Sequence, residues 1–292
     1  MMDFGHVWTA MVTPFDSLGN VDFDKTRKLI DYLLDRGTDA LVIAGTTGES
    51  PTLTEEEKIS LFQLAVKHVN KRAAVIAGTG SNNTAQTIKL TKEAAEVGVD
   101  GVMLVTPYYN KPSQQGLYDH FLAVAASTKL PVMLYNVPGR TSVNLEAETV
   151  IRLSEIENIT AVKEASGDLE QMAAIIEGTA EDFFVYSGDD SLTIPALAIG
   201  ADGIVSVVSH VAGKQMQQMI QSFIAGNVVK AGDIHRKLLP VMKAMFHAPN
   251  PTCVKYALQV CGLDTGGVRL PLVPLTAQEQ YVVKTSIEES NL

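Results

Sequence analysis

The chain has 292 residues, of which 46% are hydrophobic and 19% are charged. This composition is typical of a globular protein with a large core, and it excludes a disordered chain. The formal net charge of −10 argues against a nucleic-acid partner, because contact with a phosphate backbone requires clustered lysine and arginine. An anionic substrate must therefore find a locally positive site.

The N-terminal residues 1–6 include an acid where a secretory signal would carry bases, and no apolar run reaches the length of a membrane span. Cys253 and Cys261 lie too far apart along a predicted helix to form a disulfide. We therefore predict a cytoplasmic protein with reduced cysteines. The six histidines lack the short spacings of a zinc site, so we predict no metal.

Eight short apolar runs predict β-strands at a regular spacing. They begin near Val7, Ala40, Ala73, Gly101, Pro131, Ile159, Phe183 and Gly203. The interval is about 28 residues, the length that a strand, a helix and two short loops require. Eight such units predict an α/β fold of the closed (β/α)8 TIM-barrel type and not an open doubly wound sheet.

The clearest helix is predicted from Thr54 to Asn70. Thr54 and Glu57 have the spacing of a capping box at its start. The apolar residues of this segment fall on one helical face, which would cover the sheet: Ile59, Phe62, Val66 and Val69.

The chain continues beyond the eighth strand as a helical region. From about Gly226 the pattern is helical, with stops at Pro249–Pro251 and Gly266–Gly267, so we expect about three further helices. No linker-like segment precedes them. We predict a catalytic barrel over residues 1–225 and a C-terminal helical extension over residues 226–292 that packs on the barrel.

In a parallel barrel the reacting groups lie on the loops that follow the carboxyl ends of the strands. The loop after the second strand, Gly45–Ser50, combines two glycines with the hydroxyls of Thr46 and Thr47. Such a loop can turn its N–H groups towards a carboxylate. It lacks the lysine of a nucleotide-binding P-loop. An ordinary strand-to-helix turn would explain the same residues.

Lys163 closes the apolar run of the sixth strand and is followed at once by the turn residues Glu164–Asp168. A lysine at this place is a candidate nucleophile, whereas the alternative is a side chain that extends from the strand end into water. A lysine with its usual pKa of about 10.4 is protonated at neutral pH, so a nucleophilic lysine requires burial or a nearby cation.

Two further loops carry candidate site residues. The fourth strand is followed by the adjacent phenols Tyr108 and Tyr109, and the fifth ends in Tyr135 with Arg140 after it. A tyrosine at a strand tip can relay protons, and an arginine can bind a carboxylate through two hydrogen bonds. Each tyrosine taken alone is more often a packed aromatic ring with a satisfied hydroxyl, and it is the combination that indicates a site.

The seventh and eighth strands supply small and apolar surfaces to the same mouth, at Gly188 and Val205. Asp189 and Asp190 stand next to each other, as in some metal and acid–base sites. Because they precede a helix-like segment, we interpret them as a helix cap without a catalytic role.

Four segments together resemble the dihydrodipicolinate synthase family, and the resemblance spans the whole chain. They are Gly45–Ser50, Thr106–Asn110, Tyr135–Thr141 and Val162–Asp168. The wider group of pyruvate-dependent aldolases, which includes N-acetylneuraminate lyase, shares the barrel, the glycine–threonine loop, the strand-tip tyrosine and the lysine. The Thr46–Thr47 pair, Tyr109 and the Pro138–Thr141 stretch favour the synthases.

The resemblance implies a reaction without a cofactor. Lys163 would form an imine with pyruvate, and the derived enamine would attack L-aspartate 4-semialdehyde before the ring closes. By the same resemblance Thr46 and Thr47 hold the pyruvate carboxylate, Tyr135 shuttles protons, Thr47 links Tyr135 to Tyr109, and Arg140 binds the semialdehyde. Gly188 and Val205 would contact substrate.

The resemblance also implies an assembly. In this family the tyrosine at the position of Tyr109 comes from a neighbouring subunit, so we predict a homo-oligomer, at least a dimer and by expectation a tetramer.

The family's lysine effector, where it acts, binds at positions that match Ser50, Pro51, Glu55, Lys58, Asn82, Gln86 and Tyr108. Inhibited members tend to carry a carboxylate at the position of Gln86, which is neutral here, and Lys58 would repel a cationic effector. We therefore predict weak or absent inhibition by lysine.

Two other functions remain open at this point. Another pyruvate-releasing aldolase, acting on a sugar acid, would keep Lys163 and Tyr135 and use Arg140 differently. A barrel that senses a keto acid without turnover would leave Lys163 unmodified when pyruvate and borohydride are added.

Overall fold

The computed structural model describes residues 4–290, so the first part of the predicted N-terminal segment lies outside the described residues. Eight parallel strands close into a barrel in sequence order. The strands are β1 Val7–Ala10, β2 Ala40–Ile43, β3 Ala74–Gly78, β4 Gly101–Val105, β5 Val132–Asn136, β6 Ile159–Glu164, β7 Phe184–Ser187 and β8 Gly203–Ser206. Each begins within one residue of the predicted start, and the barrel prediction is confirmed.

Helices cover the outside of the barrel. They are α1 Phe23–Leu34, α2 Glu55–Val69, α3 Thr84–Val97, α4 Gln114–Ala125, α5 Pro138–Thr141, α6 Ala147–Ser154, α7 Leu169–Gly178, α8 Thr193–Ala198 and α9 Ser209–Ile224. The C-terminal extension adds α10 Val228–Ala244, α11 Thr252–Val260 and α12 Ala277–Glu289. In the described residues 4–290, no helix is long and apolar enough to cross a bilayer.

The predicted start of α2 is confirmed in detail. Thr54 Oγ1 accepts a hydrogen bond from the Glu57 N–H at 3.2 Å, and the Glu57 carboxylate accepts one from the Thr54 N–H at 2.9 Å. The predicted apolar face packs on the core, with Phe62 and Val69 fully buried and Ile59 and Val66 partly buried. The buried face also includes Leu61 and Ala65, because it is wider than a single stripe.

The extension folds back onto the barrel. α10 packs against α9 and α12, and the predicted boundary at 225/226 falls in the turn between α9 and α10. Lys255 of α11 reaches the loop after β2, where its Nζ lies 2.7 Å from Glu49 Oε1. Cys253, within α11, and Cys261, directly after it, are free thiols. The extension therefore adjoins the end of the barrel that carries the candidate loops.

Candidate active site

Lys163 and Tyr135 stand side by side at the carboxyl ends of β6 and β5. The strand register pairs the two residues directly, and Lys163 Nζ lies 4.4 Å from the centroid of the Tyr135 ring. Each residue is only 5% exposed. The alternative of a lysine that extends into bulk water therefore does not hold, and the amine lies next to the phenol as the sequence predicts.

Alternation along β6 fixes this orientation. Lys163 points into the barrel, so its neighbour Glu164 points the other way, and there it is 1% exposed. The Glu164 carboxylate accepts hydrogen bonds from Asn136 Nδ2 at 3.0 Å, Gln171 Nε2 at 3.0 Å and the Ser166 N–H at 2.7 Å. This buried network ties β5, β6 and α7 together behind the amine. The sequence analysis did not identify it, because nothing local marks Asn136 or Gln171 as its members.

Gly188, just after β7, forms the wall beside the amine. A Cβ at this position would lie 3.0 Å from Lys163 Cε and 2.5 Å from Ala165 Cβ. A Cβ contact of 2.5 Å is essentially never seen, so a side chain here would force Ala165 to shift and would crowd Lys163. The small surface predicted at Gly188 thus leaves room for the side chain of Lys163.

Two adjoining cavities occupy the mouth of the barrel. The first, of about 610 Å³, contains Lys163, Thr47, Gly188 and Asn250 in its wall. The second, of about 450 Å³, contains Tyr108, Tyr109, Ser50 and Pro51. The residues common to both walls are Thr46, Tyr135, Val137 and Arg140. Apart from Val205, the predicted catalytic and substrate-binding residues therefore line one or both of two adjoining cavities.

The two threonines after β2 differ in their surroundings. Thr46 is half-buried and faces both cavities, whereas Thr47 is 3% exposed and faces only the cavity of Lys163. Tyr109 lines the other cavity. The predicted link from Tyr135 through Thr47 to Tyr109 involves a neighbouring subunit, so it stays a prediction. Within one protomer, Thr46 is the threonine that shares both cavity walls with Tyr135.

Asn250 is a site residue that the sequence analysis missed. Its Nδ2 donates to Thr47 Oγ1 at 2.9 Å, and its Oδ1 is buried without a hydrogen-bond partner. The residue is 8% exposed and lines the cavity of Lys163. In the sequence, Pro249–Pro251 indicated only the end of a helix. A buried free acceptor at this place is suited to an N–H or O–H donor of a ligand.

Arg140 lies on the one-turn helix α5 and is exposed, with its side chain on the wall of both cavities. Val205 lies deeper: it is fully buried and belongs to the same interior cluster as Tyr135. Val207, two residues further along the chain, lines the cavity itself. Contact between Val205 and a substrate stays a prediction.

The helix-cap interpretation of the paired aspartates is confirmed for Asp189, whereas Asp190 makes different contacts. Asp189 caps the short 3-10 turn 190–192, where its Oδ1 accepts from the Ser191 N–H at 2.9 Å. Asp190 is buried and accepts from the N–H groups of Val207 and Val208 at 3.0 and 3.1 Å. Burial raises the pKa of the Asp190 carboxyl. In the part of the chain that the structure describes, no three His, Cys, Asp or Glu side chains converge on a possible metal position.

The positions matched to the family's effector site are only partly free. Glu55 forms an ion pair with Lys89, and Gln86 is exposed. Burial lowers the pKa of the half-buried Lys58. The carbonyl of Asn82 accepts a hydrogen bond from Asn110 Nδ2 at 3.0 Å. The one carboxylate among these positions therefore already has a cationic partner.

A closed parallel barrel with a buried lysine at a strand tip, beside a phenol, defines the class of lysine-dependent barrel enzymes that act on carbonyl compounds. The sequence profile described as the Dihydrodipicolinate synthetase family matches residues 3–290. The chain belongs to this family.

Individual relatives agree over the full length. The chain is 64% identical to the 4-hydroxy-tetrahydrodipicolinate synthase of Bacillus subtilis, covering 99% of this chain and 100% of the relative. The crystal structure of a dihydrodipicolinate synthase from Bacillus anthracis superposes with a TM-score of 0.97 at 61% identity, covering 99% of both chains. A synthase structure from Cyanidioschyzon merolae with lysine bound has a TM-score of 0.97 at 46% identity, covering 99% of this chain and 98% of the other.

Proposed function

We propose that the protein condenses pyruvate with L-aspartate 4-semialdehyde to 4-hydroxy-tetrahydrodipicolinate, in the biosynthesis of diaminopimelate and lysine. The observation that carries the proposal is the buried amine of Lys163, 4.4 Å from the Tyr135 ring, in a chain of this family. The reaction is a lyase-class condensation through an imine.

The first step binds pyruvate covalently. Lys163 Nζ attacks the ketone carbon, and the carbinolamine that results loses its hydroxyl group as water, which leaves an imine. The Tyr135 hydroxyl supplies the proton for the departing oxygen, because a phenol can donate and accept without carrying a permanent charge. The backbone N–H groups and hydroxyls at Thr46 and Thr47 hold the pyruvate carboxylate.

The second step forms the carbon–carbon bond. The imine loses a proton from the former methyl group and becomes an enamine, whose carbon attacks the aldehyde of the semialdehyde. The aldehyde oxygen gains a proton and becomes the hydroxyl of the product. The ammonium group of the semialdehyde loses a proton to water, and the resulting neutral amine attacks the imine carbon. The bond from this carbon to Lys163 Nζ then breaks, which closes the ring and restores the free amine.

Two residues fit the recognition of the semialdehyde. The guanidinium of Arg140 binds its carboxylate. The free Oδ1 of Asn250 accepts a hydrogen bond from its ammonium group, and the bond from Asn250 Nδ2 to Thr47 keeps the amide in this orientation.

The proton relay requires a second subunit. Tyr109 is 88% exposed with a φ of +72°, so its ring extends from its own protomer and is available to the mouth of another. We propose a homo-oligomer, a dimer at least and a tetramer by expectation, in which Tyr109 of one protomer meets the Thr46 and Tyr135 of its partner. The imine itself stabilises the carbanion, so the mechanism uses no cofactor or metal, and we assign the reaction to the cytoplasm.

Trapping the imine tests the proposal. Addition of borohydride in the presence of pyruvate reduces the imine to a stable secondary amine, and peptide mass mapping should find the adduct on Lys163. A Lys163→Ala variant is the control and should acquire no adduct. An unmodified Lys163 would favour a non-catalytic keto-acid sensor. Turnover with sugar-derived aldehydes and none with the semialdehyde would favour a sugar-acid aldolase.

A further inference from the structure

Lys243 is a cation at the active site that the proposed mechanism does not use. It lies in the last turn of α10, in the C-terminal extension, and lines the cavity of Lys163 together with Met242 and Phe246. Its side chain is exposed at the mouth, next to a Phe246 ring that stays 45% exposed. The extension thus brings a charged side chain to the cavity, in addition to the neutral amide of Asn250.

This lysine has no acidic partner among residues 4–290. None of the ion pairs in that range includes Lys243. Asp189 is the only acid among the described residues that line the cavity, and its Oδ1 already accepts from the N–H and hydroxyl of Ser191. The C-terminal end of a helix favours a positive charge, which explains a lysine in the last turn of α10. It does not explain why this lysine lies on the wall of the cavity.

The charge distribution at the mouth is opposite to that of the whole molecule. Arg140 and Lys243 line the cavity with one acid, Asp189, against them, in a chain with a net charge of −10. Arg140 is exposed, so water and salt weaken its attraction for a carboxylate. A second cation on the wall formed by the extension adds to the attraction for a carboxylate in this cavity.

We propose that Lys243 binds the carboxylate of the aldehyde substrate together with Arg140. The inference rests on the proposed function, because it names the substrate of that reaction. Lys243 is thereby a binding residue for the second substrate and not for pyruvate, whose carboxylate lies at the Thr46–Thr47 loop.

Steady-state kinetics of Lys243→Gln test the proposal. The KM for the semialdehyde should rise about fivefold, the effect of losing one exposed ionic contact, whereas the KM for pyruvate and trapping of the imine stay as in the wild type. Lys243→Arg should restore most of the affinity. Lys237→Gln is the matched control, since it removes the same charge from the exposed surface of α10 away from the described cavities.

The outcomes separate the two proposals. A semialdehyde KM in Lys243→Gln within twofold of the wild type would overturn the role of Lys243 while leaving the reaction intact. An equal rise of the semialdehyde KM in Lys237→Gln would show that the effect comes from the overall charge of the protein. This result would also overturn the role of Lys243. A wild-type enzyme that traps pyruvate but does not condense it with the semialdehyde would overturn the proposed function itself.

Discussion

At Lys163, two features determine the chemistry: the direction of the side chain and the space around it. Alternation along β6 sends the amine inwards, and the hydrogen-bonded Glu164 on the opposite side keeps the strand end from rotating. The absent side chain of Gly188 leaves the room that the amine needs. The neighbours of Lys163 on both faces of the sheet thus support its proposed role as the nucleophile.

Replacement of Tyr135 by phenylalanine tests the acid–base step at this scale. Tyr135→Phe keeps the ring that packs over the amine and removes only the hydroxyl. We expect kcat to fall by roughly 10²-fold or more, the lower range for a lost general acid–base group, while the fold is retained. Stopped-time assays and circular dichroism measure the two effects. Near-normal turnover would remove Tyr135 from the mechanism.

Among the elements, the loop after β2 and helix α11 form one unit through a buried ion pair. The side chains of Lys255 and Glu49 are 3% and 1% exposed, and Lys255 Nζ also donates to the Gly267 carbonyl at 2.6 Å. The Arg269 N–H donates to the other oxygen of Glu49 at 2.9 Å. The extension therefore holds the loop that presents Thr46 and Thr47, in addition to supplying Asn250.

Lys255→Met should destabilise the protein by about 3 kcal/mol, because it leaves the Glu49 carboxylate buried without its cation. Urea unfolding of the variant and the wild type at neutral pH measures this difference. The double variant Glu49→Gln, Lys255→Met should recover part of the loss, since it removes the uncompensated charge. A Lys255→Met variant as stable as the wild type would show that the pair does not hold the loop.

The same pair predicts a pH dependence with a definite sign. Burial lowers the pKa of Lys255 from 10.5 to about 8. Between these values the unfolded chain binds more protons than the folded one, so this group makes the wild type more stable as the pH rises from about 8 towards 10.5. Lys255→Met should lack this contribution. If the free energy of unfolding changed equally with pH in the two proteins between about pH 8 and 10.5, the prediction would be contradicted.

On the scale of the whole molecule, the proposed proton relay depends on the proposed assembly. Tyr109 is largely exposed, and it shares a cavity wall with Tyr108, Ser50 and Pro51, which match the effector positions of the family. Catalytic relay and feedback inhibition would therefore meet at one surface. Substitutions at that surface can change regulation without touching Lys163.

We expect weak or absent inhibition by lysine. Glu55 is already paired with Lys89, Gln86 offers no charge, and Lys58 would repel the effector's ammonium. Steady-state assays with lysine up to millimolar concentration measure the effect, and strong inhibition at sub-millimolar lysine would contradict the prediction. Gln86→Glu is the matched variant: it supplies a carboxylate for the ammonium, so it should be inhibited at lower lysine concentrations than the wild type.

Local sequence patterns determined the barrel, the capping box of α2, the strand-tip position of Lys163 and the three helices of the extension. The spacing of apolar residues, the capping residues and the turn residues all reflect interactions between residues close together in the chain. They can therefore be recognised in a single sequence. They also brought Tyr135 and Lys163 together, because adjacent parallel strands place their carboxyl ends at one rim.

Only the tertiary structure decided which distant residues complete the site. Asn250 meets Thr47 across 203 positions, and Lys255 meets Glu49 where the extension crosses the barrel mouth. The same closure of the fold decides which cavity each of Thr46 and Thr47 lines, and it brings Lys243 to the cavity of Lys163. Such contacts depend on how the closed barrel and its extension pack. The periodicity of either segment alone does not predict which of their residues come into contact.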